Sequence, residues 1–270
     1  MWSLSAWHRR RILDQHPVDD DVWNRVLHRL AILDGLTADQ HQQLLECSVL
    51  FLRDKHLTAL PGVELNQEQR LFLAAQAQLP LLNLGDLNWY RGFHEVLLYP
   101  GDFVSPQRHR DASGVEHEWE GKHSGEAWSQ GPVILAWPGV LSSGSWNGSN
   151  LVIHELAHKL DMLNGSADGF PPLHSDMRNS DWASAMQSAY DHLNQQLDYH
   201  PHSPPAIDPY AAQNPAEFFA VTSEYFFSAP DALFKAFPAV YEQLKAFYRQ
   251  DTLSRLHQLR REHHAHNTHD

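Results

Sequence analysis

The sequence predicts an α+β fold, one compact unit over residues 1–258, with a helical layer at about 19–85 followed by a catalytic part at about 94–258. Three observations predict it. Apolar residues in the first third recur at helical spacing. Two short apolar runs, HEVLLYP at 94–100 and GPVILAWP at 131–138, are bounded by Pro and Gly, as strands of a small sheet are. Beside them, LVIHELAHKLDML at 151–163 sets two histidines and a glutamate inside an apolar helical run.

Val22, Val26, Leu30 and Leu33 repeat on one helical face. Gly35 interrupts them, and Thr37 is placed to cap a second helix through Leu44, Leu45 and Leu52. A third helix spans 66–79, opened by Asn66 and closed before Pro80. No chemistry is visible in this layer. The first strand follows at 94–100, and residues 105–131, rich in Gly, His, Glu and Trp, fit short strands or a long loop. The second strand, 131–138, reads as a sheet edge on which an extended peptide would add its backbone hydrogen bonds. The loop 142–150 leads straight into the 151–163 helix, which Asn164-Gly165 stops. A helix over 181–198, an irregular proline-rich stretch over 200–215, a helix from Asn214-Pro215 through Phe227, and two more opened by Pro230 and Pro238 complete the unit. Residues 259–270 read as a histidine-rich flexible tail.

Asp and Glu number 33 against 20 Lys and Arg, a formal charge of −13, so no basic excess exists to neutralise phosphates and direct nucleic-acid binding is excluded. Cys47 is the only cysteine, which rules out an intrachain disulfide and any cysteine-based zinc knuckle. The N-terminus lacks the apolar core of a signal peptide, and no run approaches the roughly 18 apolar residues that span a bilayer. The expected location is the cytoplasm, away from membranes.

At about 100° per residue, with His154 at zero, His158 falls at about 40°, Asp161 at about −20° and Glu155 beside them at about 100°. Two imidazoles one turn apart can reach one ion. Zinc accepts neutral imidazole nitrogen and takes four positions, so a third protein ligand is required and one place is left for water. An ordinary amphipathic helix would also turn these groups to solvent, since Val152, Ile153, Leu156, Ala157 and Leu160 form the opposite arc. A chain with 20 histidines also raises the odds of a chance match. The helical context, the loop before it and the neighbouring strand favour a zinc hydrolase.

The extended pattern H-E-x-x-H-x-x-G-x-x-H is excluded, because Asp161 and Asn164 stand where Gly and the last His belong. A glutamate on a second helix is the main alternative. Glu217 and Glu224 lie seven residues apart in NPAEFFAVTSEYFF, on nearly one helical face. Glu217 also fits a plain capping role after Asn214-Pro215. Spacing leaves Glu217, Glu224, Asp168, Asp176 and Asp208 open as the third ligand. Asp161 is either a partner for a ligand imidazole or a surface carboxylate on the last turn.

HELAHKLD, followed at a distance by DPYAAQNPAEFFAVTSEYFF and preceded by GPVILAWP, closely resembles the Mlc titration factor A family of bacterial zinc peptidases, over about residues 20–255. The resemblance implies a gluzincin-like metallopeptidase with one zinc ion per chain on His154, His158 and Glu217. It implies Glu155 as the catalytic base that activates water at the metal, and Tyr210, seven residues before the third ligand, as an assisting group. Spacing alone would leave Tyr210 a packing or surface residue. A peptide or protein substrate follows, with aminopeptidase and endopeptidase action both open. The resemblance also implies a non-catalytic alternative: the family's namesake binds Mlc, a repressor of glucose-uptake genes, so the chain would act by sequestering a transcriptional repressor.

Overall fold

The first third holds α1 (Ala6–Gln15), α2 (Asp20–Arg29), α3 (Ala38–Asp54) and α4 (Gln67–Gln78), and the helical spacing of the sequence accounts for the last three. They belong to a computed structural model that describes residues 6–84, 87–110, 116–123, 125–127, 131–199 and 203–267. Thr37 and Asn66 cap α3 and α4 as their sequences demand, each closing a capping box with the glutamine three residues on. α1 was not anticipated; Ile12 is the residue it buries.

Six strands lie among the described residues, in chain order: β1 (His56–Ala59), β2 (Glu95–Tyr99), β3 (Phe103–Arg110), β4 (Glu116–His123), β5 (Gly125–Ala127) and β6 (Val133–Ala136). β3 and β4 pair with each other as an antiparallel ribbon. The other four form one sheet in the order β1-β2-β6-β5, in which β1, β2 and β6 run parallel and β5 runs antiparallel. The expected edge strand is therefore misplaced. GPVILAWP supplies β6, which is paired on both sides, so the edge beside it belongs to β5. The run also ends sooner than expected, because Trp137 begins a short helix, α5 (Trp137–Ser142), with Pro138 in its first turn, where a missing N–H is tolerated.

The second half is helical: α6 (Leu151–Asp161), α7 (Asn179–Tyr199), α8 (Pro215–Ser228), α9 (Pro230–Ala236), α10 (Pro238–Tyr248) and α11 (Thr252–Asn267). α11 continues through Asn267, so most of the stretch expected as a tail is helical; 268–270 lie outside the described residues. α6 packs against β5, β6, α4 and α8. α4 is buried without interruption from Leu71 to Gln78, and α8 buries Phe218, Phe219, Phe226 and Phe227, so the helix between them is clamped by two apolar neighbours. Among the described residues, no helix is long and apolar enough to cross a membrane.

Candidate metal centre

Asn150 ends the Ser/Gly loop and opens α6. Its side chain accepts the Ile153 N–H at 3.0 Å, which fixes the first turn of the helix that carries His154, Glu155 and His158. The loop approaches α8 closely at Gly148, whose φ is +86° and where a Cβ would lie 2.9 Å from the Tyr225 ring. Only glycine suits that position. α8 opens in the same manner: Asn214 accepts the Glu217 N–H at 3.0 Å, with Pro215 in the first turn. The capping role foreseen for Glu217 falls to its backbone alone. Its carboxylate turns towards α6.

Three ligand atoms converge there. Glu217 Oε2 lies 3.1 Å from His154 Nε2 and 3.4 Å from His158 Nε2, and the two nitrogens are 3.3 Å apart. A tetrahedral zinc-sized ion with bonds of roughly 2.0–2.1 Å has ligand-to-ligand edges of roughly 3.3 Å. The triangle has the size of one face of that tetrahedron. Glu217 Oε2 is buried and makes no aligned hydrogen bond to a side chain or backbone group among the described residues, although two imidazoles adjoin it. An acceptor so placed is satisfied by a cation at the centre of the triangle. His154, His158 and Glu217 are the one group among the described residues with a geometry that could hold a metal ion.

Glu224, the rival ligand, lies on the other side of His154. Its Oε1 is 2.7 Å from His154 Nδ1 and its Oε2 accepts the Asn150 N–H at 2.6 Å. A carboxylate can only accept, so Nδ1 carries a proton, and Nε2 is the nitrogen left to give its lone pair to an ion once its own proton is displaced. Burial alone would favour neutral His154, yet Glu217 and Glu224 together raise its pKa well above the ordinary imidazole value. Burial likewise pushes the Glu217 carboxyl up, and the two imidazoles reverse this, holding it below the usual carboxylate range. In the absence of a metal the cluster holds protons that an ion would displace. The remaining candidates do not reach it. Asp168 caps the Phe170 N–H, Asp176 pairs with Arg249, and Asp208 accepts the Tyr210 N–H at 2.9 Å.

Glu155 is 4% exposed and lies within electrostatic reach of Lys159, one turn on, and of Tyr210. Lys159 is itself buried. Its ammonium donates to the Gly131 carbonyl at 2.9 Å and stands 5.4 Å over the Phe93 ring. Burial draws its pKa down to about 8, while the nearby Glu155 opposes the shift. Tyr210 is 37% exposed, with its ring centre 5.9 Å from that of His154. Burial, and then the carboxylates of Glu217 and Glu155, keep its phenol protonated and hence a donor. Its loop is propped from α8, where the Tyr225 hydroxyl accepts the Asp208 N–H at 3.1 Å.

Asp161 is not the surface group that was one of its two readings: it is 0% exposed. Its Oδ2 accepts the Gly169 N–H at 2.7 Å, while its Oδ1 and the Nδ1 of His158 both lack hydrogen-bond partners among the described residues. Spacing missed the roles of Glu224, Asn150 and Lys159. For Lys159 a signal existed, its place four residues after Glu155 on an apolar helix.

Residues 4–249 match the family model described as "Glucose-regulated metallo-peptidase M90". A relative named Mlc titration factor A from Cronobacter sakazakii is 41% identical over 87% of this chain and 88% of its own length. Relatives of the same name from Salmonella arizonae and Salmonella agona are each 42% identical over 88% of this chain, covering 94% and 89% of their own lengths.

Proposed function

The chain belongs to the glucose-regulated metallo-peptidase M90 family, and from that premise we propose that it hydrolyses peptide bonds with one zinc ion held by His154, His158 and Glu217. The observation that carries this reading is the triangle of 3.1, 3.3 and 3.4 Å between the three ligand atoms. A zinc ion there supplies Lewis acidity, making water acidic near neutral pH and polarising the scissile carbonyl. Glu155 takes the proton of the attacking water and passes it to the departing amine. The Tyr210 hydroxyl donates to the oxyanion that develops on the carbonyl oxygen. An extended peptide lies along β5, the edge of the sheet that packs against α6, and is read there by backbone hydrogen bonds.

The test is Glu155→Gln, which keeps the shape of the side chain and removes the base. Elemental analysis should find zinc unchanged, while turnover on a peptide library falls by about 10²–10⁴-fold. Zinc loss in that variant, or undiminished turnover, overturns the assignment. The same library, read for cleavage at free N-termini or within chains, separates aminopeptidase from endopeptidase action.

A second reading follows from the name the relatives share, Mlc titration factor A: this chain binds a repressor, and binding needs no catalysis. A pull-down of Mlc with wild type and with Glu155→Gln separates the two. Capture of intact Mlc by both supports sequestration, and its disappearance with wild type alone supports cleavage.

A further inference from the structure

The N-terminal helical layer reaches the metal centre through a chain of buried hydrogen bonds. Gln76 of α4 is 0% exposed inside an otherwise apolar stretch, and its Nε2 donates back to the Phe72 carbonyl at 3.2 Å. Its Oε1 accepts from Asn150 Nδ2 at 2.9 Å. Asn150, also 0% exposed, spends its other side-chain atom on the Ile153 N–H and its own N–H on Glu224 Oε2. The second oxygen of Glu224 receives His154 Nδ1. Each Glu224 oxygen thus has a donor of its own, and the plane of the carboxylate is fixed from two sides.

We propose that Gln76 and Asn150 are positioning residues for the metal centre, acting through Glu224 to hold His154 with Nε2 aimed at the ion. This rests on the zinc reading above. Asn150 ends a loop rich in Ser and Gly, which by itself leaves the direction of its N–H loose. The bond to Gln76 removes that looseness, because α4 is immobilised in the core. A polar side chain buried on α4 satisfies Asn150 in any reading. The proposal adds that the strain of losing it is transmitted to the imidazole, since the next two links are single, short hydrogen bonds between buried groups.

The test measures zinc dissociation constants by chelator competition on the full chain, with thermal melts of the metal-free proteins alongside. Gln76→Met preserves length and removes the amide, and zinc binding should weaken roughly tenfold. In a Glu224→Ala background the same change should alter it less than twofold, because the link through which it acts is already gone. Destabilisation alone would instead carry through to both backgrounds. Should Gln76→Met fail to fold, Asn150→Ser keeps a good helix cap but is too short to reach Gln76, and the same pair of results is expected. Wild-type-like zinc affinity in the single variants, or a loss that persists undiminished without Glu224, overturns the proposal. Wild type that takes up no zinc overturns the metal reading itself.

Discussion

His154 and His158 sit one turn apart on α6, share one face and meet the same carboxylate, yet they are held differently. His154 has a carboxylate beside each nitrogen: Glu217 stands 3.1 Å from Nε2 without an aligned hydrogen bond, and Glu224 is bonded to Nδ1 at 2.7 Å. His158 has Glu217 at 3.4 Å on Nε2, while its Nδ1 has no hydrogen-bond partner among the described residues. Asp161 follows on the same stripe one turn later but turns to the Gly169 N–H. A shared helical stripe brings side chains alongside one another without aiming them at one another. The orienting carboxylate for His154 comes from a second helix, which approaches from outside the stripe. His158 has no such carboxylate on its Nδ1 among the described residues.

That asymmetry is testable by removing the three carboxylates in turn. Glu217→Ala deletes a proposed ligand and should weaken zinc binding beyond the roughly 100-fold ceiling typical of outer partners. Glu224→Gln leaves the ligands intact but exchanges an obligate acceptor for an amide, and a loss of about 10–100-fold is expected. If elemental analysis ranks these two in the opposite order, the ligand and the anchor must be exchanged. Asp161→Asn should change zinc affinity by less than about threefold, judged against the same outer-partner range. A loss equal to that of Glu224→Gln would show that Asp161 does hold His158, and would abolish the contrast.

The smallest effect concerns pH. Burial raises the Asp161 carboxyl from 3.8 to about 6, so the folded state holds this proton more tightly than the unfolded chain. Its contribution to stability is therefore full below about pH 4 and is lost as pH rises towards 6. In metal-free protein, Asp161→Asn should be no less stable than wild type at pH 7, by about 0–2 kcal/mol. The advantage should shrink below pH 4. Melting curves at the two pH values decide this, and a variant less stable at pH 7 would mean that the ionised carboxylate is compensated by a contact still to be found.

Helices α2 to α4, the caps of α3 and α4, and the pair His154 and His158 were legible because each is a local pattern. Thr37 and Asn66 announce α3 and α4 within four residues. β1 escaped because four residues carry too little periodicity to separate a strand from the end of α3. The edge of the sheet was misjudged because strand order is a long-range property: GPVILAWP looks the same whether or not β5 lies beside it. Glu217 and Glu224 were indistinguishable for a related reason. Seven residues bring both to one face of α8, and the choice between them depends on where α6 crosses it. Gln76 carried no signal at all. A glutamine among Leu, Phe and Ala reads as a lapse in an apolar pattern until Asn150 is placed against it.

The proposed ligand set is divided between α6 and α8, and its residues stand far apart in the chain. An ion held there is therefore also a clasp across the fold, and a chelator would act as a denaturant. With free zinc at a hundredfold over its dissociation constant, the folded state gains about 2.7 kcal/mol. The melting temperature should climb with added zinc in wild type and stay flat in Glu217→Ala. In a cell, the lifetime of the chain would then follow the supply of the metal.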